Sequence, residues 1–262
     1  EAASHAIDLA FDEINRVGNL FYKGNPGSPI YKFNNRKRNT VKMPKEVLAL
    51  IWRAAEISNK TKGSFDMTIE KLLPYYDFDG DSLGPPPIKL IDSLKRYVNY
   101  QTLEIDTNHN TITTKDKEIK IATGGNAKGY AVDRAIQILD SMGVAGALVN
   151  AGGDLRVLPR QDNKKWTVGI QDPRNRNRTI GIIAIDSGAV TTSGDYEQYY
   201  IYKGTRYHHI INPKTGLPAR ASRSTTVIAP SAELADALAT GLFILGYKKG
   251  LKVLENFPAC HA

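Results

Sequence analysis

The sequence predicts an α+β fold, and three observations carry that prediction. Segments with helical periodicity and segments with strand alternation are mixed along the chain, without the regular strand–helix alternation of a doubly wound sheet. The 262 residues fit one large domain or two intimately packed halves. Hydrophobic side chains make up 41% of the chain, enough for a proper core. No apolar run approaches the ~18 residues of a membrane-spanning helix.

Taken in order, Ala3, Ala6, Ile7, Ala10, Phe11, Ile14 and Val17 recur at three and four, so residues 2–17 read as an amphipathic helix with Gly18 as its stop. Residues 22–40 are rich in Gly, Pro, Asn and basic side chains and read as one long loop. A loop of that length in a compact protein is often functional. Val47, Leu48, Ile51, Ala54, Ala55 and Ile57 mark a second helix opened by Pro44. Ser64-Phe65-Asp66-Met67-Thr68 enters a short helix that ends before Pro74. Pro85-Pro86-Pro87 is a stiff connector, and residues 88–97 read as a further helix. Leu103-Glu104-Ile105 and Thr111-Ile112-Thr113 alternate about Asn108-His109-Asn110, a hairpin signal. Residues 118–121 read as a third strand. Strands are expected near 146–149, 154–158, 166–170 and 180–185. Residues 186–195 read as a polar, small-residue loop. Residues 199–202 and 207–211 form a hairpin about Lys203-Gly204, and residues 212–216 a turn. Residues 225–229 are a strand, Ser231 caps a helix over 232–245, and 247–256 is the last helix. There is no internal repeat and no low-complexity tract.

The formal net charge of +8 admits nucleic acid or another acidic partner. However, Arg36-Lys37-Arg38 and Arg174, Arg176 and Arg178 fall in expected loops, with no aromatic-interleaved basic stripe. They read as solvated, with attraction of an anionic ligand as the functional remainder. Cys260 is the only cysteine, which excludes an internal disulfide and a cysteine-rich zinc site. Cys260-His261 is like the end of a haem-attachment motif, but Phe257 stands where the first cysteine would be.

Three constellations carry chemistry. In the first, Gly124-Gly125 precedes a helix and Gly152-Gly153 follows the next strand. Glycines before a helix let backbone N–H groups approach an anion, and the helix N-terminus adds unpaired donors and positive potential. The plain alternative is two turns; two such pairs flanking one helix, each near a charged residue, favour a site. In the second, Asp236 and Thr240 stand four apart on a helix that is apolar on nearly every face. Either Asp236 bonds a neighbouring loop, or the pair holds Mg²⁺, which prefers oxygen ligands. In the third, His208-His209 sits at a strand end beside a turn, where one histidine could act as a general base and the other would face away.

With these residues in view, the chain resembles the ApbE family of FAD:protein FMN transferases. The matching segments are Ser64-Phe65-Asp66-Met67-Thr68, Gly124-Gly125-Asn126-Ala127-Lys128-Gly129-Tyr130-Ala131-Val132-Asp133 and Asn150-Ala151-Gly152-Gly153-Asp154. Residues 187–197, 209–216 and 235–241 continue the match in family order, so that it covers nearly the whole chain. The resemblance implies one domain over residues 1–262, built of two packed α/β halves with mixed or antiparallel sheets around a flavin-nucleotide cleft. It implies cleavage of FAD, transfer of FMN to a Thr or Ser hydroxyl of a target flavoprotein, and release of AMP. Mg²⁺ would be held by Asp236, Thr240 and the backbone carbonyls of Gly125 and Ala239. FAD would be contacted by Ser64, Phe65, Asp66, Gly124, Lys128, Ile210 and Tyr22, its pyrophosphate at residues 124–129 and its adenosine end near 64–66. His209 would be the base acting on the acceptor hydroxyl.

The chain departs from the family pattern in places. Ala122 stands where the family has Asp, and Asn212 where it has Asp. Gly24 takes the place of an aromatic that packs on the flavin, with Tyr22 nearby. The family's first strand and any signal peptide would precede residue 1. The resemblance further implies an acceptor with a Ser/Thr-Gly-Ala-Ser/Thr-like motif, no nucleic-acid partner, export to the periplasm or cell surface, and a lipid anchor as the sole membrane link. Ser187-Gly188-Ala189-Val190 is only superficially like the acceptor motif. The same site would also serve a hydrolase giving FMN and AMP, or a non-catalytic FAD-binding protein.

Overall fold

The N-terminal half is helical with one small sheet, in a computed structural model that describes residues 2–78 and 84–262. Helix α1 (Ala2–Phe21) turns Ala6, Ala10, Val17 and Phe21 inward. It runs through Gly18 rather than stopping there. Burying Phe21 contributes ~1.5–3 kcal/mol, more than the ~1 kcal/mol that glycine costs a helix. Residues 22–40 are not one loop. They contain helix α2 (Pro29–Asn34) and strand β1 (Thr40–Lys42). Ser28 caps α2 by accepting the Tyr31 N–H, Pro29 opens it, and Ile30 and Phe33 are fully buried. Six residues are too few to register a helical period. Arg36 is not solvated either: its guanidinium donates to the carbonyls of Phe33, Ile119 and Asp116 and to Thr114 Oγ1.

Helix α3 (Lys45–Lys60) follows Pro44, and a 3₁₀ turn occupies Met67–Lys71. Helix α4 (Ile88–Leu94) is shorter than predicted and tightens into a 3₁₀ turn at Lys95–Tyr97. Strands β2 (Leu103–Asp106) and β3 (Thr111–Thr114) form the expected hairpin, and β1 pairs on the far side of β3. The strand expected at 118–121 has no ladder. The Asn34 side chain stands in for one, donating to the Ile121 carbonyl at 2.9 Å and accepting its N–H at 2.7 Å.

The C-terminal half begins with helix α5 (Ala127–Ser141), against which α1 packs. Strands β4 (Leu148–Ala151) and β5 (Asp154–Val157) form a hairpin about Gly152 and Gly153. Strands β6 (Trp166–Asp172) and β7 (Asn175–Ile185) form a second. Arg174 and Arg176 therefore lie in a hairpin and not in a solvated loop. Arg174 forks onto the Asp195 carboxylate at 2.7 and 2.8 Å, and Arg176 donates to the Tyr196 carbonyl.

The expected loop at 186–195 is instead strand β8 (Gly188–Gly194), an inner strand. It pairs with β5 on one side and with β11 (Ser224–Ala229) on the other, giving the order β11-β8-β5-β4. Its small residues Ala189 and Thr191 are buried because helix α6 (Ala232–Leu245) lies across β8 and β11, and Val190, on the other face, packs with Leu155, Val157 and Ile185 against Trp166 and Val168. Strands β9 (Tyr199–Tyr202) and β10 (Thr205–His208) turn at Lys203 and Gly204, and helix α7 (Tyr247–Leu254) follows α6. Among the described residues every strand pairing is antiparallel, so the sheets are not mixed.

Candidate active site

Two helices that meet at their N-termini set the site. An added Cβ on Gly129 would lie 2.2 Å from the Ala232 carbonyl oxygen, so glycine is what lets α5 approach α6 this closely. Each helix start is then met by a carboxylate of the other. Asp133 on α5 accepts the N–H groups of Ala232 and Glu233 at 2.8 and 2.9 Å. Asp236 on α6 accepts the Gly129 N–H at 3.3 Å. Both carboxylates satisfy donors that a helix start leaves unpaired, at the positive end of its dipole. This exchange fixes Asp236 beside the loop that leads into α5.

A cleft of about 840 Å³ opens over that point. Asp236 and Thr240 face it from α6, and Gly124, Gly125 and Lys128 from the loop and first turn of α5. Ser64, Phe65 and Asp66 line it from the stretch after α3, His209 and Ile210 from the end of β10, and Tyr22 from the end of α1. Of the residues that the resemblance assigns to metal, FAD or catalysis, Ala239 alone stands back, fully buried within α6. A Cβ on Gly124 would meet nothing within 4 Å, so that position leaves the cleft open. A Cβ on Gly125 would touch Phe65 at 3.1 Å and lie 3.8 Å from Thr240 Oγ1, which brings this backbone next to the hydroxyl.

The charges in the cleft do not balance by themselves. Asp236 is 5% exposed and Asp154, at the start of β5, is 1% exposed. Their carboxyl groups lie close enough to influence each other's charge. Burial pushes both above the usual carboxylate range, Asp236 strongly so, and the Asp154 charge raises Asp236 further. Lys128 Nζ, 3.2 Å from Asp154 Oδ2, is the cation facing them. Thr240 Oγ1 adds an oxygen, 3.4 Å from Ser193 Oγ. Among the described residues no group of three or more His, Cys, Asp or Glu side chains is gathered for a metal. The oxygen set of Asp236, Thr240 and the Gly125 backbone nevertheless fits a hard cation such as Mg²⁺, which commonly takes one or two carboxylates and completes its shell with phosphate oxygens and water.

The matched-residue pattern extends beyond the cleft. The ApbE family model matches residues 2–262. The chain belongs to the ApbE family. It is 30% identical to the FAD:protein FMN transferase of Treponema pallidum over 239 residues, covering 85% of this chain and 66% of that protein. It is 33% identical to the FAD:protein FMN transferase of Salmonella typhimurium, covering 87% and 68%. The chain thus spans about two thirds of these relatives' length. The crystal structure of the ApbE protein from Thermotoga maritima superposes with a TM-score of 0.91 at 36% identity, over 98% of this chain and 85% of that one. The flavin transferase ApbE from Vibrio cholerae gives 0.83 at 28% identity, over 97% and 81%.

Within this ApbE chain the two histidines are differently placed. His208 is buried; its Nε2–H donates to the Ala219 carbonyl at 2.7 Å and its Nδ1 accepts the Ile210 N–H at 3.3 Å. Its ring meets Phe243 edge-on, and burial holds its pKa down to about 4. His209 is half-buried in the cleft wall. Its Nδ1 lies 3.3 Å from the Gln198 carbonyl, which can only accept, so Nδ1 carries the hydrogen and the Nε2 lone pair is free. Burial lowers its pKa, which favours the neutral ring.

Other predicted contacts differ in what they have left to offer. The Asp66 carboxylate is already committed to the Thr68 N–H and hydroxyl and to the Tyr100 N–H. The Ser64 hydroxyl is buried with no protein partner. Tyr22, 64% exposed, stands at the cleft mouth. A Cβ on Gly24 would strike its ring at 2.7 Å, so the glycine gives room to the aromatic two residues earlier. Ala122 lines the cleft without charge. Asn212 keeps the turn: its side chain accepts the Lys214 N–H at 2.9 Å, as an aspartate would.

Asp154 and Ser193 also line the cleft, although the sequence alone assigns neither to the site. For Asp154 the signal was present. Gly152 and Gly153 take φ of 58° and 97°, a turn that delivers the next residue to the cleft. Ser193 was hidden by reading β8 as a loop.

Proposed function

We propose that this ApbE chain transfers FMN from FAD to a Thr or Ser hydroxyl of an acceptor flavoprotein, with Mg²⁺, releasing AMP. One observation carries the reading: an open glycine loop with its lysine, a buried oxygen pair and a neutral histidine with a free Nε2 border the same cleft. In this reading Gly124, Gly125 and Lys128 receive the pyrophosphate, and Asp236, Thr240 and the Gly125 carbonyl hold the cation. Bound Mg²⁺ supplies charge to offset that developing on the pyrophosphate. Ser64, Phe65 and Asp66 take the adenosine end; Tyr22 and Ile210 border the flavin. His209 Nε2 removes the proton of the acceptor hydroxyl as its oxygen bonds to the phosphorus next to riboflavin. The bond from that phosphorus to the bridging oxygen breaks, and AMP leaves with that oxygen. Acceptors with a Ser/Thr-Gly-Ala-Ser/Thr-like motif, export and a lipid anchor are proposed on the resemblance alone.

The test is incubation with FAD and Mg²⁺, with and without an acceptor peptide carrying that motif. AMP together with a flavinylated peptide, only when peptide is present, supports transfer. AMP without peptide identifies a hydrolase, and FAD retained with no AMP identifies a binding protein.

A further inference from the structure

We propose that Asp154 is a positioning residue for this reaction: from the β4–β5 turn it holds the Lys128 ammonium at the place where the ligand's phosphate must sit. The inference rests on the functional reading above and concerns a residue that reading leaves without a role.

Lys128 has two reasons to be elsewhere. It stands in the first turn of α5, where the helix dipole disfavours a cation. Its four-carbon stem is flexible, and its side chain is 47% exposed, so water competes for the ammonium. It is nonetheless turned inward. Nζ lies 3.2 Å from Asp154 Oδ2 and donates to the Gly152 carbonyl at 3.2 Å. Both acceptors belong to one turn, whose shape is fixed by two glycines in the left-handed region. Asp154 is itself held, 1% exposed and paired with Thr191 in the register of β5 and β8. A buried carboxylate gives a fold little that an apolar residue would not. Its place here, against the lysine in the first turn after the glycine loop, is explained by what it does to that lysine.

The sign of the effect makes the proposal testable. By charge alone, Asp154 repels a phosphate and offsets Lys128, so removing its charge should tighten FAD binding. If Asp154 positions Lys128, removing it should loosen binding instead. Asp154→Asn, Lys128→Met and the double variant are compared by flavin-fluorescence titration and by acceptor-dependent AMP release. The expected result is FAD binding weakened about tenfold in each single variant, with the double variant no worse than Lys128→Met. FAD binding as tight as wild type or tighter in Asp154→Asn overturns the proposal, as do losses that multiply in the double variant. Mn²⁺ affinity, read by electron paramagnetic resonance without FAD, should fall in Asp154→Asn by less than FAD affinity does, because only a neighbouring charge is lost; a Mn²⁺ loss larger than the FAD loss would make Asp154 a cation ligand and remove the positioning role. If Asp154→Asn does not fold, Lys128→Met decides alone, and unchanged FAD affinity there sinks the idea. Wild-type protein that binds no FAD defeats the functional reading and not the clamp. The clamp is then read without ligand: acetylation of Lys128, followed by mass spectrometry, should speed up severalfold in Asp154→Asn, and an unchanged rate rejects it.

Discussion

His208 and His209 differ by one position and by almost everything else. His208 ends β10 and His209 lies just beyond it, and their rings part: one is locked between Ala219 and Phe243 while the other borders the cleft. That division was legible in the sequence; which ring would keep a free nitrogen was not, because it depends on the Gln198 carbonyl. His209→Ala should lower FMN transfer by ~10²–10⁴-fold in single-turnover assays while FAD still binds. The base must be unprotonated, and burial lowers its pKa from 6.5, so the rising limb of the pH–rate profile should lie below that value. A rising limb above pH 7 would remove His209 from the proton transfer. For His208 the consequence is stability. The unfolded chain takes up that proton near 6.5 and the folded chain only near 4, so unfolding is favoured as pH falls through that window. The loss approaches ~1.4 kcal/mol per pH unit at most. His208→Gln, which keeps a donor for Ala219, should flatten this acid limb in urea titrations; an unchanged slope would assign it to other groups.

At the scale of elements, the crossing of α5 and α6 is the part on which the site depends. Gly129 is its tightest point, with backbone on the opposing side that cannot swing away. Gly129→Ala should force the helices apart, costing ~1–3 kcal/mol or more, and carry Asp236 away from Lys128. Expected together are a lower urea midpoint and lost FAD binding. A folded variant with wild-type FAD affinity would show that the cleft tolerates the shift. The long helices were legible because their apolar positions repeat over several turns, and α6 starts at its cap, Ser231, as read. What was missed has physical causes. Helix α2 is too short for periodicity. Strand β8 is made of small and hydroxyl residues that look like a loop until two neighbouring strands and a helix cover them. The 118–121 segment has strand composition, but a side-chain amide takes the place of its ladder.

The whole molecule holds a cleft whose walls come from residues between Tyr22 and Ile244, so the site exists only when the chain is folded. The sequence assigned eleven of its thirty described lining residues to the site; it could not show that Asp154 would be pressed against Asp236, a contact made only by the packing of β5 under α6. That pressed pair is unfavourable without a ligand, because each carboxyl is buried and the Asp154 charge raises the energy of the Asp236 charge. A ligand set that brings positive charge should relieve it. Any ligand that binds only the folded state at 100 times its dissociation constant adds ~2.7 kcal/mol. For a chain of this size that is roughly 5–10 °C in Tm. FAD with Mg²⁺ should therefore raise the melting temperature by that amount. Asp236→Ala should separate the two effects. Removing one member of the repelling pair offsets the lost bond to the Gly129 N–H, so the ligand-free variant should melt at or above the wild-type temperature. The same variant should lose the Mg²⁺-dependent part of the shift and its turnover. Differential scanning calorimetry of both proteins, with and without FAD and Mg²⁺, checks this; a variant that melts lower yet keeps the full ligand shift would place the cation elsewhere.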